Sequence, residues 1–310
     1  MNELGCNVCG SREIELAYDE VIDYITGDFF QVWQCKHCKA GITWPRPDDL
    51  SPYYPAKYRR YNRLIRNILK FFYRQRVKNW ASQFLVPGIA FEIGCGDGLM
   101  LDTLRDLGWK VIGSERTAQS AYFPSRILGL PVFVGGLDTI QPCPHFDLIF
   151  LFQVLEHLED PVITLQQLAR LLKPSGKLII GVPNFSSWQA KVGQRRWFHL
   201  DVPRHLVHYS YTTLETLFKQ FDMEIENVSY SSWEHDPYGW VQSILNRLDW
   251  RFNRLTRLLM QIDPPDIINL LHLALAGIFG FVAIILSLVS WLLHRGALIE
   301  VTIRLKSSFR

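Results

Sequence analysis

Residues 88–98 read GIAFEIGCGDG, and residues 99–108 continue as LMLDTLRDLG. A short apolar run enters Gly94, Gly96 and Gly98 at alternate positions, and a helical pattern follows. A strand, a glycine turn and a helix start bring backbone N–H groups and the positive end of a helix dipole close to a ligand. The next apolar run, KVIGSE (110–115), ends in Glu115, where a carboxylate can accept both hydroxyls of a ribose. LPVFVGG (130–136), FDLIFLFQVLEHLEDP (146–161) and LKPSGKLIIGVPN (172–184) come after it, alternating with helical patterns such as PVITLQQLARLL (161–172). This alternation predicts an α/β chain with a doubly wound, mostly parallel sheet.

The bulk numbers agree with one large core plus a smaller module: 310 residues, 48% hydrophobic and 20% charged. A net charge of +3 is too small to require nucleic acid as a partner. The N-terminus MNELGCNVCGSRE has no basic start followed by an apolar run, so the chain is expected to begin in the cytoplasm with its thiols reduced.

Four of the six cysteines form two C-x-x-C knuckles, Cys6/Cys9 and Cys35/Cys38. They lie about 25 residues apart, a spacing that suits a zinc site. Two thiolates on each tight turn close a tetrahedron, and with all four positions filled the metal would brace the fold instead of catalysing. His37 is read as a bystander, and Cys95 and Cys143 as small apolar fillers. A proline-rich linker follows, then NRLIRNILKFFYRQRVKNW (62–80). Here Leu64, Ile65, Ile68, Leu69 and Phe72 repeat at helical spacing. No acidic residue occurs between Asp49 and Glu92, whereas Lys57, Arg59, Arg60, Arg63, Arg66, Lys70, Arg74, Arg76 and Lys78 make a basic block. The expectation is an amphipathic helix packed on the next domain, its basic face solvated or set against anionic headgroups.

In these motifs the chain resembles the class I S-adenosylmethionine (SAM) dependent methyltransferases. FEIGCGDG is similar to their glycine motif, with Glu92 at the strand end, and the 146–161 and 172–184 segments are similar to their fourth and fifth strand motifs. The resemblance covers residues 85 to 233 and implies a seven-stranded Rossmann-like sheet. It implies that Glu92 and Gly94 to Gly98, Cys95 among them, hold the methionine part of SAM, that Glu115 holds the ribose, and that Gly136 and Leu137 hold the adenine. The third strand departs from the family pattern, since Leu137 stands where many relatives carry an acid and Asp138 follows. Gln153 would face the methyl donor. In the similar quinone O-methyltransferases a Glu, Glu, His set in the QVLEH motif is thought to hold Mg²⁺; Gln153 replaces the first Glu here, and no such metal is expected beside Glu156 and His157.

An acceptor hydroxyl needs a base, and the insert RRWFHLDVPRHLVHYSYTTL (195–214) carries His199, Asp201, Arg204, His205 and His208 within ten positions. His199 and Asp201, with His157, are the catalytic candidates. His205 and His208 are read as positional, near a helix N-cap at Ser210 or Thr212.

After the sixth strand pattern, FDMEIENVSYSSW (221–233), the chain enters a helical stretch (240–262), a DPPD break (263–266) and an apolar run at 267–293. ALIEVTIRLK (297–306) then alternates apolar and polar residues as a half-buried strand, and it resembles the family's final, antiparallel strand. If it joins the sheet beside strand six, both ends of the apolar run lie on one side of a membrane. The run then dips into one leaflet, as a re-entrant hairpin bent at Gly277 and Gly280 or as an in-plane helix. A bilayer-crossing helix and a face buried in a homo-oligomer are the alternatives.

The expected organisation is a zinc-ribbon-like module (1–45), a linker and basic helix (46–84), a SAM-binding core (85–234), a helical insert (235–296) and the final strand (297–306). The expected function is SAM-dependent methylation, at oxygen, of a lipid-linked or amphipathic acceptor such as a polyprenyl-linked sugar or a prenylated quinone, on the cytoplasmic face of the membrane. The zinc module is similar to that of sugar C-methyltransferases, so methylation at carbon of a nucleotide-linked sugar is the alternative; a catalytically silent SAM-binding protein and a nicotinamide oxidoreductase are the others.

Overall fold

The computed structural model describes residues 4–54, 63–137, 140, 145–249, 251–264 and 266–306, without the side chains of 63–66. Lys57, Arg59, Arg60, Asp138 and Cys143 lie outside the described residues. In chain order the elements are β1 (Ile14–Ile22), β2 (Phe29–Cys35), β3 (Gly41–Trp44), α1 (Arg63–Ala81), β4 (Ile89–Ile93), α2 (Leu99–Asp106), β5 (Lys110–Glu115), α3 (Ala118–Tyr122), β6 (Val132–Val134), β7 (Phe146–Phe152), α4 (Pro161–Leu171), β8 (Leu172–Pro183), α5 (Trp188–Gly193), β9 (Val207–His208), α6 (Tyr211–Phe218), β10 (Met223–Ser229), α7 (Asp236–Leu248), α8 (Arg254–Leu259), α9 (Ile267–Leu292) and β11 (Leu298–Leu305).

Seven strands form one sheet in the order β10-β11-β8-β7-β4-β5-β6. The pairs from β8 through β6 are parallel, and β11 runs antiparallel between β8 and β10. The sequence order reverses beside β4, so the crevice beyond its carboxyl end is where a ligand is expected in an open α/β sheet. Helix starts are marked by side chains that take up otherwise unpaired amides: Asp160 accepts from the N–H of Ile163 ahead of Pro161, and Ser210 from that of Thr213.

The final strand differs from the expected half-buried one. Leu298 through Ile303 are all buried, Glu300 and Thr302 included, because β11 is internal to the sheet and both of its faces are covered. The Glu300 carboxylate accepts from the Trp80 indole N–H at 2.9 Å and pairs with the Arg76 guanidinium, which also holds Glu234 at 2.7 Å. Helix α1 consequently packs through its second half. Val77 and Trp80 are buried, while Ile68 from the expected apolar stripe is half exposed and Arg76 from the expected solvated face is interior.

A second sheet, β1-β2-β3-β9, is antiparallel and carries the cysteine knuckles. Its last strand comes from the insert after β8: Gly41 and Ile42 pair with His208 and Val207. Cys6, Cys35, Cys38 and Ile42 share one apolar cluster with Phe91, Leu151 and Val182 of the large sheet.

The stretch expected as one helix at 240–262 is two. Asn253 adopts a left-handed φ of 52°, and side chains stand in for the helical ladder: Asn246 Oδ1 accepts from the Asn253 N–H at 2.9 Å and Gln242 Oε1 from the Thr256 N–H at 3.0 Å. Helix α9 runs unbroken through Gly277 and Gly280, which removes the re-entrant hairpin. Asn269, His272, Ala283, Ser287 and Ser290 form a buried strip from its first turn to its last, and most of its remaining surface is exposed and apolar. Ala283, with half-buried Leu275, Ala276, Phe279 and Leu286 on the same side, packs with Trp240, Leu245 and Leu255 of α7 and α8. Its length and composition would suffice to cross a membrane.

Candidate active site

The β4–α2 turn is shaped by three positive φ angles, 66° at Gly94, 53° at Gly96 and 72° at Gly98, a region that side chains other than glycine enter only at a cost. Each glycine meets different surroundings. A Cβ on Gly94 would stand 2.8 Å from Val154, and one on Gly98 2.8 Å from Leu130, whereas one on Gly96 would meet nothing within 4 Å. The open space above Gly96 is a cradle beside the strand ends. At 2.5 Å the Gly96 N–H donates to Glu115 Oε1, and burial pushes the Glu115 carboxyl up from its ordinary value while the Gly96 and Arg116 amides pull it down.

Glu92 is buried at the end of β4, and its Oε2 has no hydrogen-bond partner. Burial raises its carboxyl well above the usual range, with the Asp97 and Glu115 carboxylates adding to the shift. A buried acid with an orphaned oxygen beside an open cradle suits a cationic ligand, which would satisfy the oxygen and favour the carboxylate form. Cys95 is buried against Gly113, and burial pushes its thiol up.

Gln153 follows β7 with φ 58°, a conformation that costs a residue with a Cβ about 1 kcal/mol or more and accumulates at functional sites. It is held there by its N–H, which donates to the Gly181 carbonyl at 2.8 Å, while its own side-chain Nε2 has no partner. Leu137 is partly buried against the sheet core beside Gly136.

Next to Gln153, the β7–α4 turn gathers groups from three parts of the chain. His157 Nδ1 lies 2.9 Å from the Arg204 carbonyl, and His205 Nδ1 2.9 Å from the His199 carbonyl. A carbonyl only accepts, so both Nδ1 atoms carry hydrogen and both Nε2 atoms are the basic ones. The two rings are 4.7 Å apart, and His205 Nε2 is 3.9 Å from Glu156 and 3.8 Å from Asp201. Tyr54 reaches the same place, its hydroxyl 3.3 Å from His157 Nδ1 and its ring under the Arg116 guanidinium, next door to Glu115. Asp201 also accepts from Arg204, which is fully buried and held in addition by Asp23, just after β1, at 2.6 Å.

The His199 side chain goes elsewhere. Its Nε2 is 2.7 Å from where a Cβ on Gly239 would stand, and its ring lies 6.4 Å from that of His235, which in turn is 5.7 Å from Phe152. His208 is interior, hydrogen-bonded to Thr43 at 3.0 Å, and burial lowers it to about 3. The structure thus brings His157, His205, Asp201 and Glu156 together and sends the His199 ring to α7.

The four knuckle sulfurs lie within 4.8 Å of one another, Cys6 to Cys38 at 3.4 Å and Cys9 to Cys35 at 3.6 Å. These separations fit a tetrahedral thiolate site, in which bonds of about 2.3 Å put the sulfurs somewhat under 4 Å apart. Glu156, His157 and His205 form a second group able to hold a metal ion. Two imidazoles and one carboxylate do not suit Mg²⁺, which takes oxygen ligands.

A family model described as "Methyltransferase domain" matches residues 56–228, more than half of the 310-residue chain. The chain belongs to this methyltransferase family. Among curated relatives, the methyltransferase is 30% identical over 104 residues to a ubiquinone biosynthesis O-methyltransferase of Bradyrhizobium diazoefficiens, a match to 32% of this chain and 41% of the relative. It is 26% identical over 161 residues to the enzyme of the same name from Xanthomonas oryzae pv. oryzae, covering 46% and 67%. The methyltransferase therefore spans about two fifths of the length of the first of these relatives. Solved structures similar to it include a SAM-dependent methyltransferase from Archaeoglobus fulgidus, at 16% identity and TM-score 0.47 over 76% of this chain and 93% of that one. Another is the mitomycin 7-O-methyltransferase MmcR, at 14% identity and TM-score 0.48, covering 77% and 55%.

For this methyltransferase the family implies SAM as cofactor, and the Gly96 cradle with the orphaned oxygen of Glu92 suits it. Tyr54 was not legible in the sequence because it lies in the linker between the cysteine knuckles and the methyltransferase motifs, and His205 carries no signal that it would fold back 48 residues onto His157.

Proposed function

We propose that the chain is a SAM-dependent methyltransferase that works at a membrane surface on a lipid-linked or amphipathic acceptor, transferring the methyl to oxygen. The observation that carries the membrane half is α9, which is seated on the domain by a buried strip along its whole length and presents apolar residues elsewhere. A helix tied down from Asn269 to Ser290, with β11 returning directly to the sheet, suits an in-plane position in one leaflet. An acceptor living in that leaflet would reach the crevice without crossing water.

Glu92 with the turn from Gly94 to Gly98 would hold the methionine part of SAM, Glu115 the ribose, and Gly136 with Leu137 the adenine. When bound, SAM supplies an electrophilic methyl on a sulfonium, so the protein's task is alignment and exclusion of water. Gln153, strained and with an unpartnered amide nitrogen, would orient the acceptor oxygen. His157 would take the acceptor proton at Nε2, its Nδ1–H already committed to the Arg204 carbonyl. His205, Glu156 and Asp201 would then stabilise the imidazolium, and His199 with His235 would wall the crevice on the α7 side. The four thiolates would hold a structural zinc.

The test is to incubate the protein with labelled SAM and a membrane lipid extract and to identify what carries the label. Label in the organic phase on an ether or ester oxygen is the expected result. Label on a water-soluble sugar nucleotide would overturn the membrane half and favour methylation at carbon, and no turnover with SAM still bound would leave a binding protein.

A further inference from the structure

Where α9 ends, the structure has a cleft of about 600 Å³ that the cofactor crevice does not use. Three cations border it, each from a different element: Lys39 beside the second cysteine knuckle, Lys191 in the last turn of α5, and Arg295 in the link from α9 to β11. His294 and the hydroxyl-bearing residues Tyr211 and Thr212 add donors. No carboxylate lines the cleft, and among the described residues no ion pair engages Lys39, Lys191 or Arg295.

The frame around these cations is rigid. The Arg295 carbonyl accepts from the Trp188 N–H at 3.1 Å, and its N–H donates to the Ser290 carbonyl at 2.6 Å. A Cβ on the next residue, Gly296, would stand 1.9 Å from the Tyr230 carbonyl oxygen, so the link is pressed onto the sheet edge. His294 stacks on Tyr230 with ring centres 5.3 Å apart. Lys39 holds a left-handed φ of 63°, and its N–H donates to the Cys35 carbonyl at 3.1 Å, so the knuckle that would carry zinc also places this ammonium. Leu293, half exposed at the end of the apolar helix, forms one edge.

We propose that this cleft binds the phosphate of a phosphate-bearing lipid whose acyl or prenyl chain lies along α9. The chemistry that fits is a doubly charged phosphate ester. Unpaired ammonium and guanidinium groups border it, hydroxyls supply further donors, and a phosphate offers more acceptor oxygens than a carboxylate for such a constellation. The placement beside Leu293 favours a phosphate attached to a chain over a free one. The proposal rests on the membrane reading of α9 and deepens it: the apolar face would give affinity for any bilayer, and the cleft would choose what is held at its end. Ser229 and Leu298, at the strand ends next to the cleft, lie on the same carboxyl edge of the sheet as Gln153, so a lipid-linked acceptor anchored here would extend toward the methyl donor's side.

The experiment is vesicle flotation of the full-length protein with three compositions: phosphatidylcholine alone, the same lipid doped with phosphatidate, and the same lipid doped to equal surface charge with a fatty acid. In parallel, inorganic pyrophosphate is titrated into the protein without vesicles while melting temperature is read. Wild type should bind phosphatidate vesicles more tightly than fatty-acid vesicles, and the triple variant Lys39→Gln/Lys191→Gln/Arg295→Gln should lose that increment, on the order of a hundredfold, while keeping its binding to neutral vesicles. A control triple, Lys78→Gln/Lys110→Gln/Lys219→Gln, should keep the increment. Equal loss in both triples, or equal binding to phosphatidate and fatty acid, would show diffuse charge and overturn the proposal. Stabilisation by pyrophosphate that the first triple lacks, with no preference for phosphatidate, would assign the cleft to a soluble phosphate and overturn the lipid source. Failure of wild type to float with neutral vesicles would refute the membrane reading, and the pyrophosphate arm would still report on the cleft.

Discussion

Replacing Ile278, Phe281, Ile285 and Leu292 together with glutamine should detach the protein from membranes and leave its fold untouched. The four recur along one face of α9 and are 68, 71, 45 and 80% exposed, so none supports the core. Burying a large apolar side chain fully is worth roughly 1.5–3 kcal/mol, and at these exposures each would contribute about 1–2 on entering lipid. The four together make about 4–8 kcal/mol, and even the lower figure weakens partitioning about a thousandfold. Flotation with neutral phosphatidylcholine vesicles reads the partition, and thermal unfolding without lipid reads the fold. The expected result is loss of flotation at an unchanged melting temperature. As a contrast, Ala283→Gln on the fully buried strip should destabilise by about 1–3 kcal/mol through overpacking. Unchanged flotation of the quadruple variant would refute the in-plane account. A lower melting temperature with conversion of a wild-type dimer to monomer would mean that a second copy covers the face.

Glu115→Ala should weaken SAM binding by about 1.5–3 kcal/mol in a calorimetric titration, since hydrogen bonds to a charged group are lost; equal affinity would remove Glu115 from the cofactor site. Cys35→Ser should release metal and loosen the small sheet while the large sheet persists, with metal analysis and hydrogen exchange as readouts; wild type devoid of zinc would defeat the assignment. Burial raises the Asp236 carboxyl from 3.8 to about 7 in the folded state. The stability this gives is therefore complete below pH 3.8, declines as pH rises and is gone above about 7, a change on the order of 4 kcal/mol. Asp236→Asn should flatten the pH dependence of the melting temperature between pH 4 and 7, and an unaltered slope would exclude Asp236 as its source.

Much of this architecture is legible in the residues because it is local. Alternating strand and helix periods specify the sheet, three glycines at alternate positions specify the turn, and two cysteine knuckles specify a four-thiol cluster. What escapes is long-range pairing. Glu300 and Thr302 read as solvent-facing because alternation assumes one wet face, yet β11 lies inside the sheet and Arg76 arrives from α1 to neutralise Glu300. Val207 and His208 are too short a run to announce that they complete a sheet begun at Ile14. His205 meets Glu156 and His157 only because the insert folds back, held by Arg204 between Asp201 and Asp23. The break between α7 and α8 depends on Asn246 and Gln242 capturing amides, which no periodicity reveals.

The position of β11 also sets an order of assembly. It fills a slot between β8 and β10 with a strand that follows α9 in the chain, so residues 178–183 wait for partners more than a hundred residues downstream. During synthesis, at about 5–20 residues per second, the apolar helix emerges several residues ahead of the strand. Until the strand arrives, two unpaired edges face each other across a gap, a state prone to pairing with other chains. On the in-plane reading proposed above, a nascent chain whose α9 has entered a bilayer would be held apart from its neighbours through that interval, and the helix would shield the closing of the sheet.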